Sequence, residues 1–99
     1  MKGIFLYGTE MDTEEHVYTH IKEQFGFPDE FHHSLEGLFE ILLLVDEEIE
    51  VTLQNYEIMC NNLGEEYAET FVDLFAEATE RNENITFYIE EVVFTGNIQ

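Results

Sequence analysis

Two glutamates one helical turn apart, Glu36 and Glu40, carry the most specific chemical signal in this sequence. Like charges at that spacing on one helix face destabilise it by about 0.2–0.5 kcal/mol, and a local rule broken at one place often marks a site. Phe39 sits between this acidic face and the apolar stripe of the same segment, and Phe31, His32 and His33 precede it in a loop. Carboxylates held on a rigid helix beside an aromatic anchor suit the capture of arginines and lysines through charge-assisted, at times bidentate, hydrogen bonds. The same spacing is also that of an ordinary solvated helix face, and periodicity leaves both readings open.

Charge favours a basic partner. The chain holds 23 Asp and Glu against 3 Lys and Arg, a formal net charge of −20 over 99 residues. A hydrophobic content of 44% separates it from acidic disordered tails, which lack the aliphatic and aromatic residues for a core. Self-repulsion of this size erodes a stability margin of only about 5–15 kcal/mol. Solubility is one return for that cost, and attraction of a basic protein is the other. RNA, DNA and anionic membranes are repelled, so no nucleic-acid or membrane partner is expected.

Other chemistry has weaker support. His16 and His20 stand i, i+4, but Val17, Tyr18 and Thr19 lie between them and the glutamate of a metalloprotease helix is missing. The histidines are expected at the surface, with no metal and no cofactor. Asp46-Glu47-Glu48 lacks the spaced acids and central glycine of a calcium loop. Cys60, the single cysteine, forms no intrachain disulfide and reads as a core thiol on an apolar helical face, short of the electropositive setting that a reactive thiol needs. No enzyme is expected. The apolar stretch Ile4 to Tyr7 is too short for a signal peptide or a membrane span, so the expected compartment is the cytoplasm.

The elements that must position these residues follow from periodicity. Residues 2–7 read as a buried strand stopped by Gly8. Asp12 or Thr13 caps a first helix whose Val17, Ile21 and Phe25 share a face, and Gly26 and Pro28 end it. Ser34 caps a second helix reaching about Val45, with Leu35, Leu38, Phe39 and Leu42 as its core stripe. Ile49, Val51 and Leu53 alternate with Glu50, Thr52 and Gln54, which suggests an edge strand with one wet face. A short third helix follows, with Asn55 as a cap and Tyr56, Met59, Cys60 and Leu63 on one side.

Beyond Gly64, Tyr67, Phe71, Leu74, Phe75 and Ala78 mark the strongest helical pattern, flanked by an acidic stripe of Glu69, Asp73 and Glu77 and closed near Arg81 and Asn82. Ile85 to Ile89 form a last strand, which Val92 to Phe94 extend or supplement with an edge. Strands separated by helices imply parallel pairing. The expectation is a single α/β domain over residues 1–99, with a three-stranded parallel sheet and about four helices.

From about Gly3 to Ile89 the chain resembles the barstar family of intracellular ribonuclease inhibitors. The family pattern runs from a proline through paired aromatics, a glycine and an asparagine that opens a helix, to Leu-Asp-Ala-Leu-Trp-Asp. Here the matching stretch is Pro28-Asp29-Glu30-Phe31-His32-His33-Ser34-Leu35-Glu36-Gly37-Leu38-Phe39-Glu40, and Phe75-Ala76-Glu77-Ala78 with Ile85-Thr86 look like the last helix and strand. The resemblance implies that Glu36 and Glu40 stand for the family's two interfacial aspartates, Phe39 for its tryptophan, and Glu77 for its acid on the last helix. Phe31 keeps one aromatic of the pair, whereas Glu30, His32 and Ser34 depart from the pattern.

The implied partner surface is Phe31, His32, His33, Glu36, Phe39, Glu40 and Glu77, presented by a chain that is a monomer when free. The implied partner is a basic bacterial ribonuclease toxin. Another basic toxin, or a DNA-binding protein met by nucleic-acid mimicry, stays open as the alternative.

Overall fold

The computed structural model describes residues 2–90. Three strands, β1 (Lys2–Tyr7), β2 (Ile49–Gln54) and β3 (Ile85–Glu90), form one parallel sheet in the order β1-β2-β3. Helices α1 (Glu14–Phe25) and α2 (Leu35–Leu42) connect β1 to β2; α3 (Tyr56–Leu63) and α4 (Glu65–Arg81) connect β2 to β3. This is the α/β architecture that the strand–helix alternation implies. The segment 92–94, expected to extend the last strand or add an edge, lies outside the described residues.

β2 corrects one expectation: it is the central strand and not an edge, paired with β1 from Lys2↔Ile49 to Tyr7↔Gln54 and with β3 from Ile49↔Ile85 to Gln54↔Glu90. Its alternation is real but belongs to the whole sheet. Ile4, Leu6, Val51, Leu53 and Ile85 are buried in one row, while Phe5, Glu50, Thr52, Thr86 and Tyr88 in the opposite row stay at least partly exposed. A strand can therefore be wet on one face because the layer covers only one side, whatever its place in the order.

Helix ends follow local chemistry. Thr13, in extended conformation, accepts the His16 N–H with its hydroxyl at 3.1 Å and caps α1, leaving Asp12 free to take the His16 ring at 2.5 Å. Gly26 closes that helix in the left-handed region at φ 74°, its N–H bonded to Lys22 O. Asn55 precedes α3 as expected, yet it is left-handed at φ 61° and makes no side-chain cap; its carbonyl, accepting from Met59 N–H, is the group that serves the helix.

Helix α2 stops at Leu42, earlier than Val45. The buried Asn82 explains why: its Nδ2 donates to both Leu42 O and Val45 O at 2.9 Å, taking carbonyls that further helical turns would otherwise engage. Its Oδ1 accepts from Asn84 N–H at 3.0 Å. One side chain just past α4 thus pins the end of α2, and the gap between these two helices is set there.

Below the helices the core is aromatic. Phe25 stacks on Phe27 at 4.8 Å between centroids and reaches Phe75 at 6.4 Å, which stacks on Phe87 at 4.7 Å. Tyr18 of α1 and Tyr67 of α4 share a hydroxyl–hydroxyl hydrogen bond of 2.8 Å, and burial pushes both phenols above their usual titration range.

Candidate functional site

Between α2 and α4 runs a groove of about 470 Å³, lined by Leu35, Glu36, Phe39 and Glu40 from one helix and by Thr70, Asp73, Leu74 and Glu77 from the other. Its composition follows from two periodicities in register. On α2 the positions 35, 36, 39 and 40 fall on one side; on α4 the positions 70, 73, 74 and 77 do the same. Leu35, Phe39 and Leu74 are half-buried and pack against the core, so they make an apolar floor. Glu36, Glu40, Asp73 and Glu77 are exposed carboxylates above it. The arrangement offers four anionic groups over an apolar base, which matches the charged head and apolar stem of an arginine or lysine.

The start of α2 is held from its N-terminal side. Ser34 accepts the Gly37 N–H at 2.9 Å, as its place before the helix requires, and its hydroxyl shares a hydrogen bond of 3.0 Å with His32 Nδ1. Gly37 allows the loop to lie close: a Cβ there would stand 2.4 Å from His32 O and 2.8 Å from His32 Cβ. Lys22 reaches from α1 to Asp29 at 2.6 Å, and that cation holds the Asp29 carboxyl below the usual carboxylate range. A preorganised loop and helix lose little freedom when a partner docks.

Of the seven residues expected at a partner surface, four meet in the groove: Glu36, Phe39, Glu40 and Glu77. Glu40 also borders a second hollow of about 280 Å³ with Glu30, Phe31, His32, Ile41 and Leu44, so it stands on the ridge between the two. Phe31 is only 6% exposed and packs on Phe27 at 5.2 Å and Tyr18 at 6.3 Å, which makes it an anchor of the loop more than a surface. His33 is turned away onto the Tyr18 ring, stacked at 5.9 Å. In the sequence Leu74 belongs to the apolar pattern of α4 and Asp73 to a separate acidic stripe, while nothing marks Thr70. The spacing 70, 73, 77 carried the signal, but which helix α4 would face was not contained in it.

His20 corrects another expectation. It is a buried residue, 6% exposed, and its Nε2 accepts the Tyr7 backbone N–H at 3.0 Å, which leaves the ring proton on Nδ1. Burial lowers its pKa below the usual imidazole value, against the opposing pull of Glu10 and Glu23. His16 remains exposed, and the hydrogen bond that its ring donates to the Asp12 carboxylate raises its pKa. Cys60 is half-buried beside the core and not sealed within it. Among the described residues no group of three or more His, Cys, Asp and Glu side chains is placed to hold a metal ion, and no helix is long and apolar enough to cross a membrane.

Fold and site together define a small α/β protein with a three-stranded parallel sheet, four helices and an acidic groove where α2 and α4 face one another. A family model described as Barstar (barnase inhibitor) matches residues 1–91. The chain belongs to the barstar family, a family of ribonuclease inhibitors and not of enzymes. No match was found among curated proteins.

Proposed function

We propose that this protein inhibits a bacterial ribonuclease toxin by setting the α2–α4 groove against the enzyme's substrate-binding cations. The observation that carries this reading is the convergence of Glu36, Phe39 and Glu40 with Asp73 and Glu77 around one groove in a barstar-family chain. A ribonuclease binds phosphates with arginine, lysine and histidine. A carboxylate delivered there imitates the substrate and occupies its place.

Glu40, on the ridge between the two hollows, is the phosphate mimic. Glu36, Asp73 and Glu77 pair with neighbouring cations, and Phe39 with Leu74 excludes water from the centre. Phe31 holds the loop from beneath, His32 contributes beside Glu40, and His33 acts indirectly through its stacking on Tyr18. The net charge of −20 steers the encounter. The protein works as a monomer, in the cytoplasm, as the immunity partner of its toxin.

Mimicry of extended nucleic acid fits less well. Asp73 and Glu77 turn into the groove with Glu36 and Glu40, whereas a nucleic-acid mimic spreads carboxylates along a surface at phosphate-like intervals.

The test is inhibition of barnase, and of any ribonuclease encoded beside this protein's gene, by the wild-type chain and single alanine variants. Glu40→Ala should weaken inhibition by about 30-fold or more, the size of an interface anchor of about 2 kcal/mol, and Glu36→Ala by less. Unchanged inhibition in both variants would show the site to be elsewhere, and failure to inhibit either ribonuclease would remove the function.

A further inference from the structure

The chain has only three cationic side chains besides its histidines, and each sits on a carboxylate. Lys2 lies 3.8 Å from Glu47, Lys22 2.6 Å from Asp29, and Arg81 2.9 Å from Glu77. The first two pairs are away from the α2–α4 groove. Arg81 is not, because Glu77 lines that groove and the Arg81 guanidinium carbon lies 5.8 Å from the centroid of the Phe39 ring on the opposite helix.

A positive charge in the last turn of α4 complements the helix dipole, and Glu77–Arg81 is an ordinary i, i+4 pair. Neither role requires the guanidinium to reach α2. Its place over an aromatic face, with one carboxylate already engaged, is the geometry in which a planar, weakly hydrated cation is held.

We propose that Arg81 is a built-in occupant of the groove: it holds the position that a partner's guanidinium takes, and it must leave Phe39 and Glu77 for the partner to bind. This rests on reading the groove as the partner surface. The side chains of Arg81 and Glu77 are 61% and 52% exposed, so their pair is weak and screened, and release is easy. Arg81 therefore tempers affinity instead of closing the site. The groove favours arginine with or without Arg81, since a lysine ammonium offers no planar guanidinium to lie against Phe39.

The experiment is an NMR titration of the full chain with Nα-acetyl-arginine amide and, in parallel, Nα-acetyl-lysine amide, following the Phe39 ring and the amides of residues 36, 40, 73 and 77. Arg81→Ala and Arg81→Gln should each lower the dissociation constant for the arginine compound by about three-fold, the combined worth of a surface pair and an exposed cation–π contact. Lys2→Ala, which removes one positive charge away from the groove, should leave it unchanged. In every chain the arginine compound should bind more tightly than the lysine compound.

Equal affinity in wild type and both Arg81 variants, or a gain in Lys2→Ala matching that in Arg81→Ala, overturns the role of Arg81 while leaving the groove as a cation site. Groove signals that respond to neither compound in any chain overturn both the proposal and the reading of the site.

Discussion

Asn82 and His20 are side chains whose importance lies in what they hold in place. Asn82 is 9% exposed and ties the end of α2 to the end of α4 by two donated hydrogen bonds. Asn82→Ala removes that donor from both carbonyls, leaving Leu42 O with the Val45 N–H at 3.2 Å and Val45 O with the Asn84 amide at 3.1 Å. The expected loss is about 2 kcal/mol in urea denaturation, together with weaker inhibition because the groove loses its spacing. A variant with wild-type stability would show that the helices are positioned by packing alone.

His20 makes a prediction about pH. Its folded pKa is depressed from the usual 6.5 by burial, so below about pH 6.5 the unfolded chain binds a proton that the folded chain refuses. Its contribution is complete above the unfolded value and falls away as pH drops towards the folded one. Exposed His16 acts in the opposite sense, since its raised pKa favours the folded state at low pH and that contribution fades as pH rises through the folded value. The stability difference between wild type and His20→Gln isolates the buried ring. It should shrink between pH 7.5 and pH 5.5; a constant difference would mean that His20 takes up no proton on unfolding.

At the scale of the element, α2 depends on the loop laid against it. The family pattern has a glycine in the loop and an alanine on the helix, whereas this chain has His32 in the loop and Gly37 on the helix. The small residue has changed sides, and in this chain it is Gly37 that lets the loop lie close to the helix. Gly37→Ala would gain about 1 kcal/mol of helix propensity, but its methyl group would meet His32 O at 2.4 Å, a backbone atom that cannot turn aside. Overpacking of this kind costs about 1–3 kcal/mol, so the variant should melt at a lower temperature than wild type. The double variant His32→Gly with Gly37→Ala should recover part of the loss. A Gly37→Ala protein more stable than wild type would show the loop to be loosely seated.

For the whole molecule, the governing quantity is charge against screening. At about 10 mM salt the screening length is about 30 Å, longer than the radius of gyration of 13.5 Å, and most carboxylates repel one another across the fold. At about 0.1 M it falls to roughly 10 Å, and only neighbours still interact. Added salt should therefore raise the melting temperature of the free protein while slowing its association with a basic ribonuclease in stopped-flow measurements. Both trends come from one charge distribution. An association rate indifferent to salt would remove steering from the account.

Periodicity and turn chemistry carried much of the fold. The apolar spacing of Val17, Ile21 and Phe25, the Ser34 and Thr13 caps, the Gly26 stop and the alternation from Ile49 to Gln54 are local signals, written by interactions within a few residues. Glu36, Phe39 and Glu40 were legible for the same reason, since one helical turn places them together. Tertiary structure decided the rest. A strand's neighbours depend on where the chain returns, so alternation in β2 could not separate a central strand from an edge. The burial of Phe31 and His20 depends on rings and backbone brought from other elements. The second wall of the acidic groove, Thr70, Asp73, Leu74 and Glu77, exists only because α4 packs beside α2, with Asn82 clasping their ends. The acidic helix was in the sequence, but the groove that makes it a receptor for a cation arises from residues thirty or more positions apart.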